Sequence, residues 1–204
     1  MEKWSEKMDG AATEYVLAIA PRGEVAEKIL EARKEFAESF YASADTVQKP
    51  VILLSKLDAR EEMEDTLIRW LQKIIGQEQS FLVTLNNYGA VPPNTICLRL
   101  QEHAVFFHFL KKLDVLKQYI PMASGFFKRP YLEFAANLPA EVYEKALPHY
   151  SRESFHESFV VNELLLMKRE NASVRIIKDG QSDHFKTIQV FGLLPQSDLF
   201  NRVA

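Results

Sequence analysis

Two triplets carry the residue types of acid–base chemistry: His149-Tyr150-Ser151 and His156-Glu157-Ser158. On a strand, positions i and i+2 face one side. An imidazole can then move a proton while the neighbouring hydroxyl holds an oxyanion. The two triplets are only seven residues apart. That is too close to work on a substrate from opposite sides. His149 falls at the end of a helix after Pro148, and His156 in the loop before a strand. His103 and His108 lie five apart on one helix, off the i, i+4 spacing of a helical metal pair. His184 opens a strand and is expected at the surface. Cys97 is the single cysteine, so no internal disulfide forms, and it reads as a small apolar filler. No Cys/His cluster, glycine-rich phosphate loop or nucleophile elbow is present, so neither a metal nor another cofactor is expected.

These groups must be positioned by elements that the apolar pattern marks. Residues 14–20 read as a buried strand, followed by a helix with Val25, Ile29, Ala32 and Phe36 inward. Residues 49–57 are a second strand. Asp58 and Glu61 have the spacing of a capping box for a helix carrying Met63, Leu67, Trp70, Leu71 and Ile74, closed by Gly76. Runs 80–86 and 94–100 form a hairpin around a proline-bearing loop, and 103–119 is helical. A strand at 129–137, a helix behind Pro139 and a strand at 158–167 follow. Two more strands, 172–178 and 184–193, flank an Asp179-Gly180 turn.

The chain has 204 residues, 47% of them hydrophobic, which is enough to bury a core without staples. A net charge of −3 gives no global pull toward nucleic acid or anionic lipid. The N-terminus lacks the apolar run of a signal peptide. The longest uncharged run, 79–98, contains Gly89, Pro92 and Pro93 and would not span a membrane. A cytoplasmic protein with no membrane partner is expected.

Two string matches suggest a repeat. Lys49-Pro50 before an apolar strand matches Arg129-Pro130, an offset of 80, and Phe81 within QSFLV matches Phe159 within ESFVV, an offset of 78. The expected architecture is α+β and bilobal. Duplicated strand–helix–strand–strand lobes would turn antiparallel sheets toward a central cleft and keep helices outside. The leading strands would be 49–57 and 129–137. The domain would run over 14–194, between a flexible N-terminus (1–13) and a C-terminal tail (195–204).

The joint order of EYVLAIAPRGEVAEKI, KPVILLSKLDAREEMEDTL, SFLVTLNNYGAVPPNTICLRL, RPYLEFAANLPAEVYEKAL and SFVVNELLLMKRE resembles the two-histidine phosphoesterase superfamily, also called 2'-5' RNA ligase-like. The resemblance implies the bilobal fold. It also implies 2',3'-cyclic phosphodiesterase or 2'-5' RNA ligase chemistry, from a His-x-Thr or His-x-Ser motif on each leading strand. One imidazole would act as base and the other as acid.

The motif positions depart from that pattern. After Pro50 stand Val51, Ile52 and Leu53; after Pro130 stand Tyr131, Leu132 and Glu133. Valine and leucine move no proton, and an ionised Glu133 repels a phosphodiester. The expectation is therefore no catalytic residue and a binding or structural role for a catalytically degenerate member. Two alternatives are an active RNA-processing or nucleotide phosphoesterase with a rearranged site, and a protein-interaction module using an apolar cleft. An active form would draw phosphate contacts from Lys49, Lys128, Arg129 and Lys168.

Strand alternation predicts a cleft lined by Val51, Leu53, Ser55, Tyr131, Glu133 and Ala135, with Lys49 and Arg129 at the rim. Thr84, Asn86, Cys97 and Arg99 would lie open on the hairpin. Arg99 and Glu133 form either an ion pair or, with Tyr131, part of a ligand site. The candidate binding residues are Tyr131, Glu133, Arg99, Lys49, Arg129, Thr84 and Asn86. The expected occupant is a small molecule or peptide. Nucleic acid is implied by the resemblance alone.

Overall fold

A computed structural model describes residues 12–40, 49–119, 123–127, 129–169 and 185–196. The expectations at 172–178, Asp179-Gly180, His184 and Lys128, and at most of the two ends, lie outside the described residues.

The first strand, β1 (Ala12–Ile19), buries every side chain from Tyr15 to Ile19. A strand covered on both faces needs an unbroken apolar run, which EYVLAI supplies. β1 accordingly sits inside the sheet, between β2 (Ile52–Arg60) and β8 (Glu163–Arg169). The remaining strands are β3 (Phe81–Val91), β4 (Thr95–Leu100), β5 (Ala123–Phe126), β6 (Tyr131–Ala135), β7 (His156–Val161) and β9 (Phe185–Gly192). The strand order is β7-β3-β4-β6-β2-β1-β8-β9, antiparallel at every pairing between strands, with β5 on the free edge of β2. Four α-helices occur among the described residues: α1 (Gly23–Phe40), α2 (Glu64–Ile75), α3 (His103–Leu113) and α4 (Ala140–Tyr150). The α+β class holds.

The sheet has a seam. β2 and β6 pair at one position, Ile52↔Leu132, before β2 turns away to β5. On one side lie β6, β4, β3 and β7, covered by α1 and α4; on the other lie β2, β1, β8 and β9, covered by α2 and α3. The helix joining β1 to β2 thus packs across the seam on β6 and β7. Its stripe of Val25, Ile29 and Phe36 follows the helical period, and Phe36 sets its ring against Phe134 of β6 at 5.7 Å and Tyr150 of α4 at 5.5 Å. A second link joins the two sides. Leu194, past β9, pairs with Gln79; Ser80 N donates to Leu194 O at 2.7 Å, and Gln196 N donates to Ser80 Oγ at 2.9 Å. The first two residues of the expected loose tail are therefore tied down.

Several expected elements change under tertiary pairing. The 158–167 run is two strands, not one: β7 pairs with β3, Asn162 accepts a bond from Leu193 N, and β8 continues on the other side beside β1. The matched strings QSFLV and ESFVV are direct neighbours, with Phe81↔Val161 and Val83↔Phe159. β2 extends through Arg60 because β1 pairs with it as far as Ala12↔Arg60. Asp58 therefore lies in the ladder opposite Glu14 instead of capping α2, and a 3-10 turn at Glu61–Met63 leads into the helix. The hairpin strand β3 runs on to Val91. Its turn is only Pro92-Pro93-Asn94, with a cis peptide between the prolines and Asn94 at φ +67°. Asparagine tolerates that left-handed conformation better than most residues.

Lys168 does not face the cleft. Its Nζ reaches Glu61 at 2.6 Å and Glu64 at 2.8 Å, and the buried Tyr15 hydroxyl donates to Glu64 at 3.0 Å. These bonds pin β8 and β1 to the start of α2. Burial pushes the Glu64 carboxyl up, yet its bonds to Lys168 and Tyr15 outweigh this and hold it below the ordinary carboxylate range. The Tyr15 phenol is raised to about 12, first by burial and then by Glu64. A depressed carboxyl adds stability above its unfolded pKa of about 4.3, and that stability is lost as pH falls through the folded value. The Tm should therefore drop as pH goes below about 4.3, and drop less steeply in Lys168→Met. Scanning calorimetry across that range checks it. Parallel wild-type and variant curves would remove this role for Lys168.

Candidate functional site

The alternation that places side chains in the cleft holds on β6 as far as Phe134 and fails on β2 after Leu54. On β6, Leu132 and Phe134 are buried toward the helices, while Tyr131 is half-buried and Glu133 exposed on the other face. On β2, Ile52 and Leu54 are buried and Leu53 is half-buried, as expected. The register then shifts: Ala18 pairs with Leu53 but Leu17 with Ser55, so Leu54 is an extra residue in a bulge. Beyond it the phase inverts. Ser55, expected in the cleft, is fully buried with no hydrogen-bond partner for its hydroxyl among the described residues. Lys56 takes the open place.

A cavity of about 180 Å³ lies at the seam, lined by Leu53, Lys56, Phe127, Pro130, Tyr131 and Glu133. β2 supplies Leu53 and Lys56. The segment entering β6 supplies Phe127 and Pro130, with Phe127 N donating to Leu54 O at 3.0 Å. The Lys56 ammonium contacts Glu14 of β1 at 3.0 Å, and Glu14 also contacts Arg169 of β8 at 3.2 Å. The Tyr131 phenol is raised above its usual value, first by burial and then by the charge of Glu133. It stays protonated at neutral pH and offers a donor.

Of the sequence-derived candidates, Tyr131, Glu133 and Leu53 meet in this cavity. Val51 is half-buried beside it but does not line it, and Lys49 and Arg129 are exposed outside it. Arg99 stands opposite Tyr131 in the ladder, and Cys97 opposite Glu133. Arg99 makes no ion pair with Glu133. Its Nε and Nη2 donate to Tyr88 O at 2.9 and 2.6 Å, and its chain lies across Gly89. Cys97 is buried, not open, and burial pushes its thiol up, which suits a filler. Ala135 is buried too.

Thr84 and Asn86 lie on β3, two strands from β6, at about 10 Å by the usual strand spacing. Thr84 is buried. Its Oγ1 lies 3.0 Å from Ser158 Oγ, and its N–H donates to Glu102 at 2.8 Å. His156 opens β7 itself, with His156 and Ser158 exposed opposite Asn86 and Thr84. The triplet is on a strand after all, but on the edge strand and away from the cavity. His103, His108 and His149 are exposed on helices.

A Cβ on residue 89 would lie 2.7 Å from Arg99 Nε and 3.0 Å from Arg99 Cγ. Gly89→Ala should therefore dislodge Arg99 from the Tyr88 carbonyl and cost about 1 kcal/mol. Arg99→Met should cost a similar amount. The double variant should cost little more than either, because both changes break one contact. Urea melts of the three variants check this, and fully additive losses would contradict it.

Lys56 and Phe127 escaped the sequence reading. Nothing in residues 49–57 alone marks the bulge, because the shift is imposed by β1. Phe127 did carry a signal: an aromatic three residues before a strand-leading Pro130.

No protein-family model and no curated protein matches the sequence. Solved structures do match. LigT of E. coli complexed with phosphate aligns with a TM-score of 0.61 and 14% identity, over 91% of this chain and 99% of LigT. TT0787 of Thermus thermophilus aligns at 0.67 and 17%, over 90% and 99%. A structure described as a phosphoesterase aligns at 0.64 and 14%, again over 90% and 99%. Identities this low carry the fold and leave function to the site. What the chain shares with LigT, TT0787 and the phosphoesterase is their fold.

Proposed function

We propose that the chain keeps this fold without phosphodiesterase catalysis and uses the cavity at the seam to bind a ligand. The observation that carries the reading is the cavity lining. Leu53, Tyr131 and Glu133 stand at three of the four positions where the family pattern has its motifs, and no imidazole is among the described lining residues. A phenol held above its usual pKa is a poor base, and Glu133 opposes a diester by like charge. Lys56 is a phosphate-binding group by type, but Glu14 already neutralises part of its charge. The reading includes a single bilobal unit over 14–194 in a reducing cytoplasm, where the lone buried Cys97 is at ease. Incubation with 2',3'-cyclic nucleotides and short 2'-5'-linked RNA, followed by chromatography, should show no product above the buffer rate. Turnover would defeat the reading.

A second reading, an interaction surface, has its own support. Leu82 and Val160 are cross-strand partners on the open face at the sheet edge, 50% and 49% exposed. Paired exposed apolar side chains on an edge strand invite association. Light scattering over a concentration series tests it, and a strict monomer would count against self-association.

A further inference from the structure

The strand path ends in two unlike edges. At β9 the register against β8 shifts between Leu166 and Met167, Lys186 stands exposed, and the Gln189 amide donates to the Val190 main-chain oxygen at 3.0 Å. Bulges and charges of this kind blunt an edge strand. β7 has none of these devices. It pairs with β3 in unbroken register from Phe81↔Val161 to Asn86↔His156 and contains no proline or lysine.

The hydrogen-bond phase tells which groups β7 leaves unused. Both main-chain groups of Thr84 point away from β7: its N–H donates to Glu102 at 2.8 Å, and its oxygen accepts from Gln101 N at 3.1 Å. Asn87 N, in the other phase, donates toward β7, to Phe155 O at 2.7 Å. Bonded and non-bonded pairs alternate along an antiparallel ladder, so Glu157 and Phe159 bond inward to β3. His156, Ser158 and Val160 therefore turn their N–H and C=O groups to the outer edge. All three residues are exposed, and no other described strand pairs with them there.

The side chains beside this edge narrow the partner. On the open face Val160 is exposed next to Leu82, and His156 and Ser158 continue the row. On the helix face Lys28 holds Glu157 at 2.8 Å and Glu24 at 2.9 Å, which leaves one negative charge in excess. Glu27 and Glu31 are exposed within a turn of Lys28 and add to that sign. The charges at the two ends of β7 cancel: Arg152 against Glu153 before it, and Glu163 against its partner Arg22 after it. A second copy would set the same acidic excess against itself, whereas a basic strand complements it.

We infer that β7 accepts an extended peptide of another protein as an added strand, with an apolar side chain beside Val160 and a basic one beside Glu157. The inference rests on the reading of this edge as an interaction surface and names the partner. Main-chain bonds supply the affinity, and the alternating side chains supply the specificity.

Calorimetric titration of the full chain with capped peptides tests the inference. A peptide of three Lys-Val repeats should bind saturably, and one of three Glu-Val repeats at least about tenfold more weakly. Lys-Val repeats methylated on every amide nitrogen keep the charges, lose the ladder donors and should not bind. Ser158→Pro removes an outward N–H and no bond to β3, which is where an edge strand tolerates proline. It should weaken the Lys-Val peptide about tenfold. Val160→Lys places a like charge beside the peptide and should also weaken it; it serves if circular dichroism shows Ser158→Pro unfolded. No saturable binding of the Lys-Val peptide, equal binding of the Glu-Val or methylated peptide, or unchanged affinity in the folded variants would overturn the inference. Dimers that Val160→Lys dissolves, without peptide binding, would also overturn it while leaving the interaction-surface reading intact. A strict monomer that binds no peptide would defeat both.

Discussion

Phe36→Ala should cost about 3–5 kcal/mol, the usual range for removing a buried aromatic ring. Phe36 is fully buried and belongs to a ring cluster that joins three elements. It meets Phe134 edge-on at 5.7 Å, Tyr150 at 5.5 Å and Phe40 at 5.3 Å. Tyr88 extends the cluster from β3, at 4.9 Å from Phe134 and 4.8 Å from Tyr150. The ring therefore locks α1 and α4 onto the strand that presents Tyr131 and Glu133. A cavity there cannot close by moving one side chain, because its walls belong to separate helices and a sheet. Urea denaturation checks the size of the loss. A loss below about 1.5 kcal/mol, the level of volume-conserving changes, would mean that the cluster collapses around the gap.

Arg33→Met should cost about 1 kcal/mol, the usual loss for one part-buried hydrogen bond. Arg33 is buried in the apolar stripe of α1, where sequence periodicity alone would put a hydrophobe. Its Nη2 donates to the main-chain oxygen of Glu133. The seam explains why a charge is needed there. β6 pairs with β2 only at Leu132, and the next residue, Glu133, has a ladder partner on one side alone, Cys97 of β4. The guanidinium crosses from the helix to the Glu133 carbonyl. Burial pulls the Arg33 pKa down and the nearby Glu133 charge pulls it back up, and the group remains a cation. Methionine matches the chain's apolar stem but restores no donor. Arg33→Lys should recover part of the loss, since an ammonium still donates. If Arg33→Met proves neutral, the relief of burying a charge outweighs the orphaned carbonyl, and the seam needs no cap.

Much of the fold was legible because local pattern and burial agree. The run EYVLAI could only be a covered strand, and the stripes of α1, α2 and α3 follow the helical period. The two Lys/Arg-Pro dipeptides marked the strands that meet at the seam. What escaped was set by pairing between distant segments. The bulge at Leu54 is a register mismatch with β1, so Ser55 and Lys56 exchange faces for reasons absent from residues 49–57. Asn162 divides one apolar run into two strands because each half finds a different partner, β3 or β1. Asp58 has a cap's side chain and a cap's spacing, yet strand pairing with Glu14 claims its backbone. At the site, the absence of histidine after Pro50 and Pro130 was plain from the sequence. The arrival of Lys56, and the turning of Arg99 onto the Tyr88 carbonyl, required the three-dimensional register.

A cavity lined by Leu53, Tyr131 and Glu133, with no imidazole among its described lining residues, should do no acid–base work on a phosphodiester. The decisive quantity is the initial rate of 2',3'-cyclic AMP opening, measured by chromatography at neutral pH beside Tyr131→Phe and Lys56→Met. The expected result is one rate for all three proteins, equal to that of buffer alone. The opposite result is a wild-type rate at least about tenfold above buffer, a barrier lowering of about 1.4 kcal/mol, that falls to background in Tyr131→Phe or Lys56→Met. That outcome would refute the loss of catalysis and make the cavity an active site.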